Sequence, residues 1–237
     1  MTRRRWIADQ VVGDRAVLTD DHAAHLVRVL RARIGQEYEI STGDRVRLGR
    51  VVSIADGQVE FELGEEVLQA SAPSVTLLLS IFKFDRMEWA IEKATELEVR
   101  QIIPIAARRS DAHLIAAANK RVERWRRIAL QASQQARRIA PPEIAAPQSL
   151  KQALALDSPA RIVLAETERA TTLRQALASA GGEIAIAVGP EGGWTQDELA
   201  AFEGAGWRAA SLGPIILRAE TAAIAALAVA MAELRYA

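Results

Sequence analysis

Two glycine- and proline-bearing segments carry the residue types best suited to holding a ligand. The first is Val188-Gly189-Pro190-Glu191-Gly192-Gly193-Trp194, between an apolar run that reads as a strand and a capped helix start. Glycine lets a ligand approach the backbone closely, and the helix that follows offers unpaired N–H groups. No Gly-Lys-[Ser/Thr] follows, so this is not a Walker phosphate loop, and Gly-x-Gly-x-x-Gly is absent, so a nicotinamide dinucleotide fingerprint is unsupported. The second is Ser211-Leu212-Gly213-Pro214-Ile215-Ile216-Leu217-Arg218-Ala219-Glu220-Thr221-Ala222, which also leaves a short strand and enters a helix. Two such loops after strands of one sheet meet at its carboxyl edge, where open α/β sheets bind ligands. Arg218 and Glu220 stand at the mouth of the last helix. They read either as charged groups facing a reacting centre, or as a helix start in which Glu220 complements the dipole and Arg218 pairs on the surface.

Other chemistries are narrowed by composition. The 237 residues include no cysteine, which removes disulfides, thiolate metal sites and cysteine nucleophiles. C5 methylation of a pyrimidine, which uses an enzyme thiolate, is therefore closed to this chain. His22 and His25 with Asp20 and Asp21 could be read as metal ligands, but acidic turns before helices are far commoner, so no metal is expected. His113 reads as a loop residue, and Trp125 as packing rather than base stacking. The net charge is zero, yet residues 100–140 carry 10 basic side chains against Asp111 and Glu123, a local net of +8. Such a concentration fits a phosphate backbone or, equally, a solvated helix face whose arginines pair with acids elsewhere. No apolar run is long enough to span a membrane and no apolar stretch follows the N-terminal charges, so a cytoplasmic protein without a secretory signal is expected.

These candidates need elements to position them. Residues 3–7, 15–18, 37–41, 45–54 and 58–63 read as short strands, interrupted by a helix over 20–31, and suggest a small barrel. A linker is expected at 69–74. Beyond it strands and helices alternate: strands at 75–82, 99–105, 161–165, 183–188 and 209–212, and helices after Asp85, over 119–139, near 171–179, from Thr195 and over 219–236. Asp85 with Glu88, and Thr195 with Glu198, read as capping boxes. Met87, Ala90, Ile91, Ala94 and Leu97 form one apolar stripe. Half the residues are apolar and strands alternate with helices, so the second part is an α/β domain with a mostly parallel sheet. The last helix is apolar on every face, so a second copy of the chain is expected to cover part of it.

Motifs in order along nearly the whole chain resemble the bacterial 16S ribosomal RNA uridine-N3 methyltransferases, of the SPOUT superfamily. They are Lys83-Phe84-Asp85-Arg86-Met87-Glu88-Trp89 with Glu92-Lys93-Ala94-Thr95-Glu96-Leu97, Pro104, Arg109-Ser110, Gln135…Arg138…Pro142-Glu143-Ile144, Gly189 to Gly193, and Leu212-Gly213…Leu217-Arg218-Ala219-Glu220-Thr221-Ala222. His25-Leu26-Val27-Arg28-Val29-Leu30-Arg31 looks like that family's RNA-binding entry motif. The chain departs from the family at Phe84, Glu98 and Arg137, where glycine is usual, and at Ala140, where arginine is. The resemblance implies a PUA-like β-barrel over 1–70 and a SPOUT domain with a deep trefoil knot over 74–237. It implies S-adenosylmethionine held by Leu164, Ala165, Glu166, Val188, Gly189, Pro190, Glu191, Gly192, Gly193, Ser211, Leu212, Gly213, Ile216, Leu217, Arg218, Thr221 and Ala222. Catalytic roles fall to Arg218, Glu220 and Glu191, and RNA contacts to Arg5, His25, Arg28, Arg31, Arg109, Arg121, Arg124 and Arg138. The expected partners are 16S rRNA or the small ribosomal subunit, and a second copy of the chain. Another SPOUT RNA methyltransferase with a different target atom, a noncatalytic RNA-binding protein and a nucleotide-dependent enzyme are the competing readings.

Overall fold

The computed structural model describes residues 5–68, 73–178 and 180–235. The expected linker, through residue 72, and the outer residues of three expected elements (3, 4, 179 and 236) lie outside the described residues. The chain folds as a mixed α/β protein of two compact units. One comprises Met1–Ser71 with Ser133–Ala140, the other Ala72–Ala132 with Pro141–Ala237.

In the first unit β1 (Arg5–Ile7), β2 (Gln10–Val12), β3 (Arg15–Leu18), β4 (Glu37–Ser41), β5 (Val46–Ala55) and β6 (Gln58–Glu66) form a sheet in the order β1-β4-β5-β6-β3-β2. The β1–β4 pair is parallel and the others antiparallel. Alternation along the strands sends Leu18, Ile40, Val51 and Phe61 into a common core with Leu26. The helix expected over 20–31 is shorter. α1 (Asp20–Ala24) passes into a wide turn, His25–Val29, closed by the Leu30 N–H on the His25 carbonyl at 3.3 Å. Ser133–Ala140 completes this unit. Arg5 donates to the Arg137 carbonyl and the Ser41 hydroxyl to the Ile139 carbonyl, and His22 meets Gln134 at 3.0 Å.

In the second unit β7 (Ser74–Ser80), β8 (Gln101–Ala106), β9 (Glu143–Ile144), β10 (Gln148–Ser149), β11 (Ala160–Leu164), β12 (Glu183–Val188) and β13 (Arg208–Ala210) form an all-parallel sheet. The order is β10-β8-β7-β12-β11-β13, with β9 also on β8. The helices are α2 (Phe84–Glu96), α3 (Ala112–Ala118), α4 (Val122–Gln135), α5 (Leu150–Leu154), α6 (Leu173–Leu177), α7 (Gln196–Gly204) and α8 (Ala219–Arg235). Parallel strands are covered on both faces, so their sequences are apolar throughout. Leu77 and Leu79 face a core with α2, α4, α6 and α8, whereas Leu78 faces the opposite core with α5 and α7.

Several local expectations change. Asp85 does not cap α2: Lys83 holds that position without a side-chain hydrogen bond, and Asp85 lies inside the first turn, where it complements the dipole. Its expected partner Glu88 instead accepts two hydrogen bonds from Arg124, at 2.6 and 2.7 Å. The arginine-rich helix expected over 119–139 is shorter: Asn119–Arg121 form a tight turn that follows α3, and α4 covers only Val122–Gln135. It ends before Pro141, since Arg137 takes a left-handed conformation with φ 58°. His113 is in α3, not in a loop, and Asp111 caps that helix through the His113 N–H at 2.8 Å. The α2 stripe and the Thr195–Glu198 capping box form as expected.

Candidate cofactor pocket and its charged edge

Three loops leave the carboxyl ends of the adjacent strands β12, β11 and β13, and a cavity opens among them. The loop after β12 turns back at once, with the Gly193 N–H on the Pro190 carbonyl at 2.8 Å. Gly193 has φ +68°, and a Cβ there would lie 2.9 Å from Glu166 Oε1, so glycine is required on both counts. The Trp194 indole N–H donates to the Leu164 carbonyl at 3.1 Å, and its ring sits edge-on to Phe202 at 4.9 Å between centroids. Arg109 donates to the Gly192 carbonyl at 2.7 Å, and the Arg108 N–H to the capping carboxylate of Glu198, also at 2.7 Å. The loop after β11 is fixed by Glu168, which accepts from the Ala170 and Thr171 N–H groups at 2.6 and 3.0 Å. Those bonds, that of Thr171 first, hold its carboxyl below the usual carboxylate range. The loop after β13 is tied at its start, by Ser211 N–H on Thr171 and Leu173 N–H on Ser211 at 2.9 and 2.8 Å. It then passes through Gly213 at φ 120° and exposes Ile215 and Ile216, each by about three-quarters.

Of the residues expected at a cofactor, Leu164, Ala165, Glu166, Val188, Gly189, Pro190, Glu191, Gly193, Ser211, Leu212, Gly213, Ile216, Leu217 and Ala222 line this cavity. Gly192, Arg218 and Thr221 do not; at Gly192 a Cβ would face the Arg109 side chain. Sequence reasoning missed Thr167, Arg169, Trp194, Leu199, Ala210 and Ala219 as walls. Trp194 ended the very motif that was singled out, but nothing in local spacing marks Arg169. The walls are mainly apolar side chains, Trp194 among them, and backbone, with the exposed Glu166 and Arg169 also in the lining. This donor set fits a purine nucleoside bearing an amino-acid chain.

The three residues expected to act on substrate divide. Arg218 is exposed at the start of α8, its carbonyl taking the Ala222 N–H at 2.8 Å. Glu220 is buried, and among the described residues its Oε2 has no hydrogen-bond partner. Glu220 and Glu191 both approach Arg86, at 3.4 and 3.2 Å. Arg86 belongs to the Lys83–Trp89 motif but was given no role by the sequence.

The family model of the RNA methyltransferase domain matches residues 69–231. The ribosomal RNA small subunit methyltransferase E of Rickettsia conorii is 32% identical over 89% of this chain and 87% of its own length. That of Mycobacterium tuberculosis is 34% identical over 90% of this chain and 84% of its own. The chain belongs to the ribosomal RNA small subunit methyltransferase E family. The crystal structure of the Neisseria gonorrhoeae family member bound to S-adenosyl methionine superposes with a TM-score of 0.83 at 28% identity, covering 95% of each chain.

The family's RNA-contact candidates sit in contrasting surroundings. In the first unit His25, Arg28 and Arg31 are exposed, His25 lying 5.8 Å from the Trp6 ring. Arg5 is buried on Glu39 at 3.0 Å. Arg138 donates to the Ala140 carbonyl at 3.1 Å, and burial pulls its guanidinium down to about 10. In the second unit Arg124 is held by Glu88 and Arg121 lies 4.9 Å over the Phe84 ring, while Arg109 braces the cofactor-side loop. His22 carries its Nδ1 2.9 Å from Asp9. Glu98 and Arg137, where the resemblance leads one to expect glycine, have left-handed backbones, with φ 64° and 58°.

Proposed function

We propose that this protein transfers a methyl group from S-adenosylmethionine to N3 of a uridine in 16S ribosomal RNA. The observation that carries this reading is the cavity among the three strand-end loops, because its walls coincide with the family's glycine-proline motifs. S-adenosylmethionine supplies an electrophilic methyl carbon on a sulfonium. The apolar walls Leu164, Val188, Leu212 and Ala222 suit its adenine, and Glu166 suits its ribose hydroxyls. At the substrate, N3 gives up its proton, its electron pair bonds the methyl carbon, and the C–S electrons stay on sulfur. Glu220, buried with one oxygen unpartnered, takes the proton, with Glu191 as the second candidate. Arg218 sets a permanent charge against the negative charge growing on the uracil oxygens.

The finer architecture belongs to the same reading: a knotted SPOUT domain behind a PUA-like barrel, acting in the cytoplasm on 16S rRNA or the small subunit. Among the described residues no helix is long and apolar enough to cross a membrane. A homodimer is part of it, because α8 packs one side on α2, α6 and the sheet while Thr221, Ala228 and Ala232 stay exposed on the other. Sedimentation at micromolar concentration gives a dimer if this holds and a monomer if it does not. Titration calorimetry tests the cofactor: S-adenosylmethionine and its demethylated product bind, and ATP and NAD do not. Binding of ATP or NAD without either methyl-cycle ligand overturns the assignment.

A further inference from the structure

Arg86 joins two carboxylates that arrive from a loop and from a helix start. It lies in the first turn of α2, and its Nη1 is 3.2 Å from Glu191 Oε1 and 3.4 Å from Glu220 Oε1. Glu191 comes from the loop after β12, and Glu220 from the first turn of α8, just past the loop after β13. One guanidinium thus fastens the loop after β12 and the first turn of α8 to α2. The Glu220 side chain is 8% exposed, and the remaining oxygen has no hydrogen-bond partner. Other cations on the helices packed against α8 are engaged elsewhere: Lys93 with Glu92 and Glu96, Arg174 with Glu233. A buried carboxylate held by one oxygen is fixed in place while the other stays able to accept a proton. Without the guanidinium, two carboxylates converge unopposed, one of them out of water.

We propose that Arg86 is a positioning residue for methyl transfer, holding Glu220 and Glu191 together so that the unpartnered oxygen of Glu220 is left to accept the substrate proton. This rests on the proton-acceptor role given to Glu220 above. The test is a double-mutant cycle on the full chain with Arg86→Met, Arg86→Lys, Glu220→Gln and Arg86→Met/Glu220→Gln. Single-turnover methylation, calorimetric S-adenosylmethionine affinity and melting temperature are measured for each. Arg86→Met slows turnover about 100-fold with cofactor affinity within about twofold, since misplacing a reacting group costs that much. Arg86→Lys recovers part of the rate, and the double variant is no slower than Glu220→Gln alone. Without cofactor or RNA, Arg86→Met lowers the melting temperature and adding Glu220→Gln raises it again, because the unpaired buried carboxylate is gone. Full rate in Arg86→Met beside a slow Glu220→Gln, or losses that simply multiply in the double variant, overturns the proposal. Full rate in Glu220→Gln removes the proton-acceptor role instead. The melting cycle then still reports on Arg86, and an absence of coupling in it overturns the clamp as well.

Discussion

The loops after β12 and β13 serve one cavity and are built in opposite ways. The first is braced at every turn: by the Trp194 indole on Leu164, by Arg109 on Gly192, and by the Thr195–Glu198 box that seats α7. The second is tied at Ser211 and then runs exposed from Pro214 through Ile215 and Ile216 until α8 begins. A braced wall is set before any ligand arrives, whereas apolar residues left in water gain only when something covers them. The first loop therefore supplies shape, and the second supplies surface that a ligand, substrate or second subunit can bury.

Mutations should respect that contrast. Trp194→Ala removes a buried ring together with its hydrogen bond, and is expected to cost about 3–5 kcal/mol in urea unfolding. The same measurement on Ile216→Ser should stay within about 0.5 kcal/mol, as for exposed positions generally. Equal losses in both would erase the distinction between the loops. Next in size is Arg218→Ala. Its side chain is exposed on the unbraced loop, so the fold should survive while turnover falls by about 10²–10³ with cofactor affinity nearly unchanged. A lowered melting temperature with normal single-turnover rates would make Arg218 structural. Arg109→Ala frees the Gly192 carbonyl without touching the cavity wall, and should weaken S-adenosylmethionine about tenfold in calorimetry, roughly one hydrogen bond to a charged group.

The smallest effect is expected away from both loops. Glu98 ends α2 in a left-handed turn, with its N–H on Thr95 and the Val99 N–H on Ala94 at 3.0 and 3.1 Å. Glu98→Gly should raise stability by about 1 kcal/mol, seen as a melting temperature a few degrees higher, by relieving a backbone that favours glycine. No gain would show that the Glu98 side chain offsets the strain.

That position also shows what was legible in the sequence. Periodicity located β7, β8, β11, β12 and β13 of the parallel sheet, because residues such as Leu77, Leu78 and Leu79 must all be buried when both faces are covered, but not the two-residue strands β9 and β10. Most cavity walls were legible too, since Gly189 to Glu191, Gly193 and Ser211 to Leu217 sit where strand ends are bound to place them. Contacts set by the tertiary fold were not. The Asp85–Glu88 box looked sound locally, but Glu88 is drawn to Arg124, thirty-six residues on. The joining of Ser133–Ala140 to the first unit depends on Arg5, His22 and Ser41, which no local pattern connects to it. Arg86 was visible only as part of a motif, because its meaning comes from Glu191 and Glu220, more than a hundred residues away.

The central claim is that this cavity serves methyl transfer to N3 of a uridine. The direct measurement is nucleoside mass spectrometry after purified protein, S-adenosylmethionine and unmodified small ribosomal subunits are incubated together, with 16S RNA alone in parallel. The account predicts N3-methyluridine as the new nucleoside, lost with Arg218→Ala. A methyl group on ribose or guanine, or cofactor binding with no methylated nucleoside from either substrate, would contradict it.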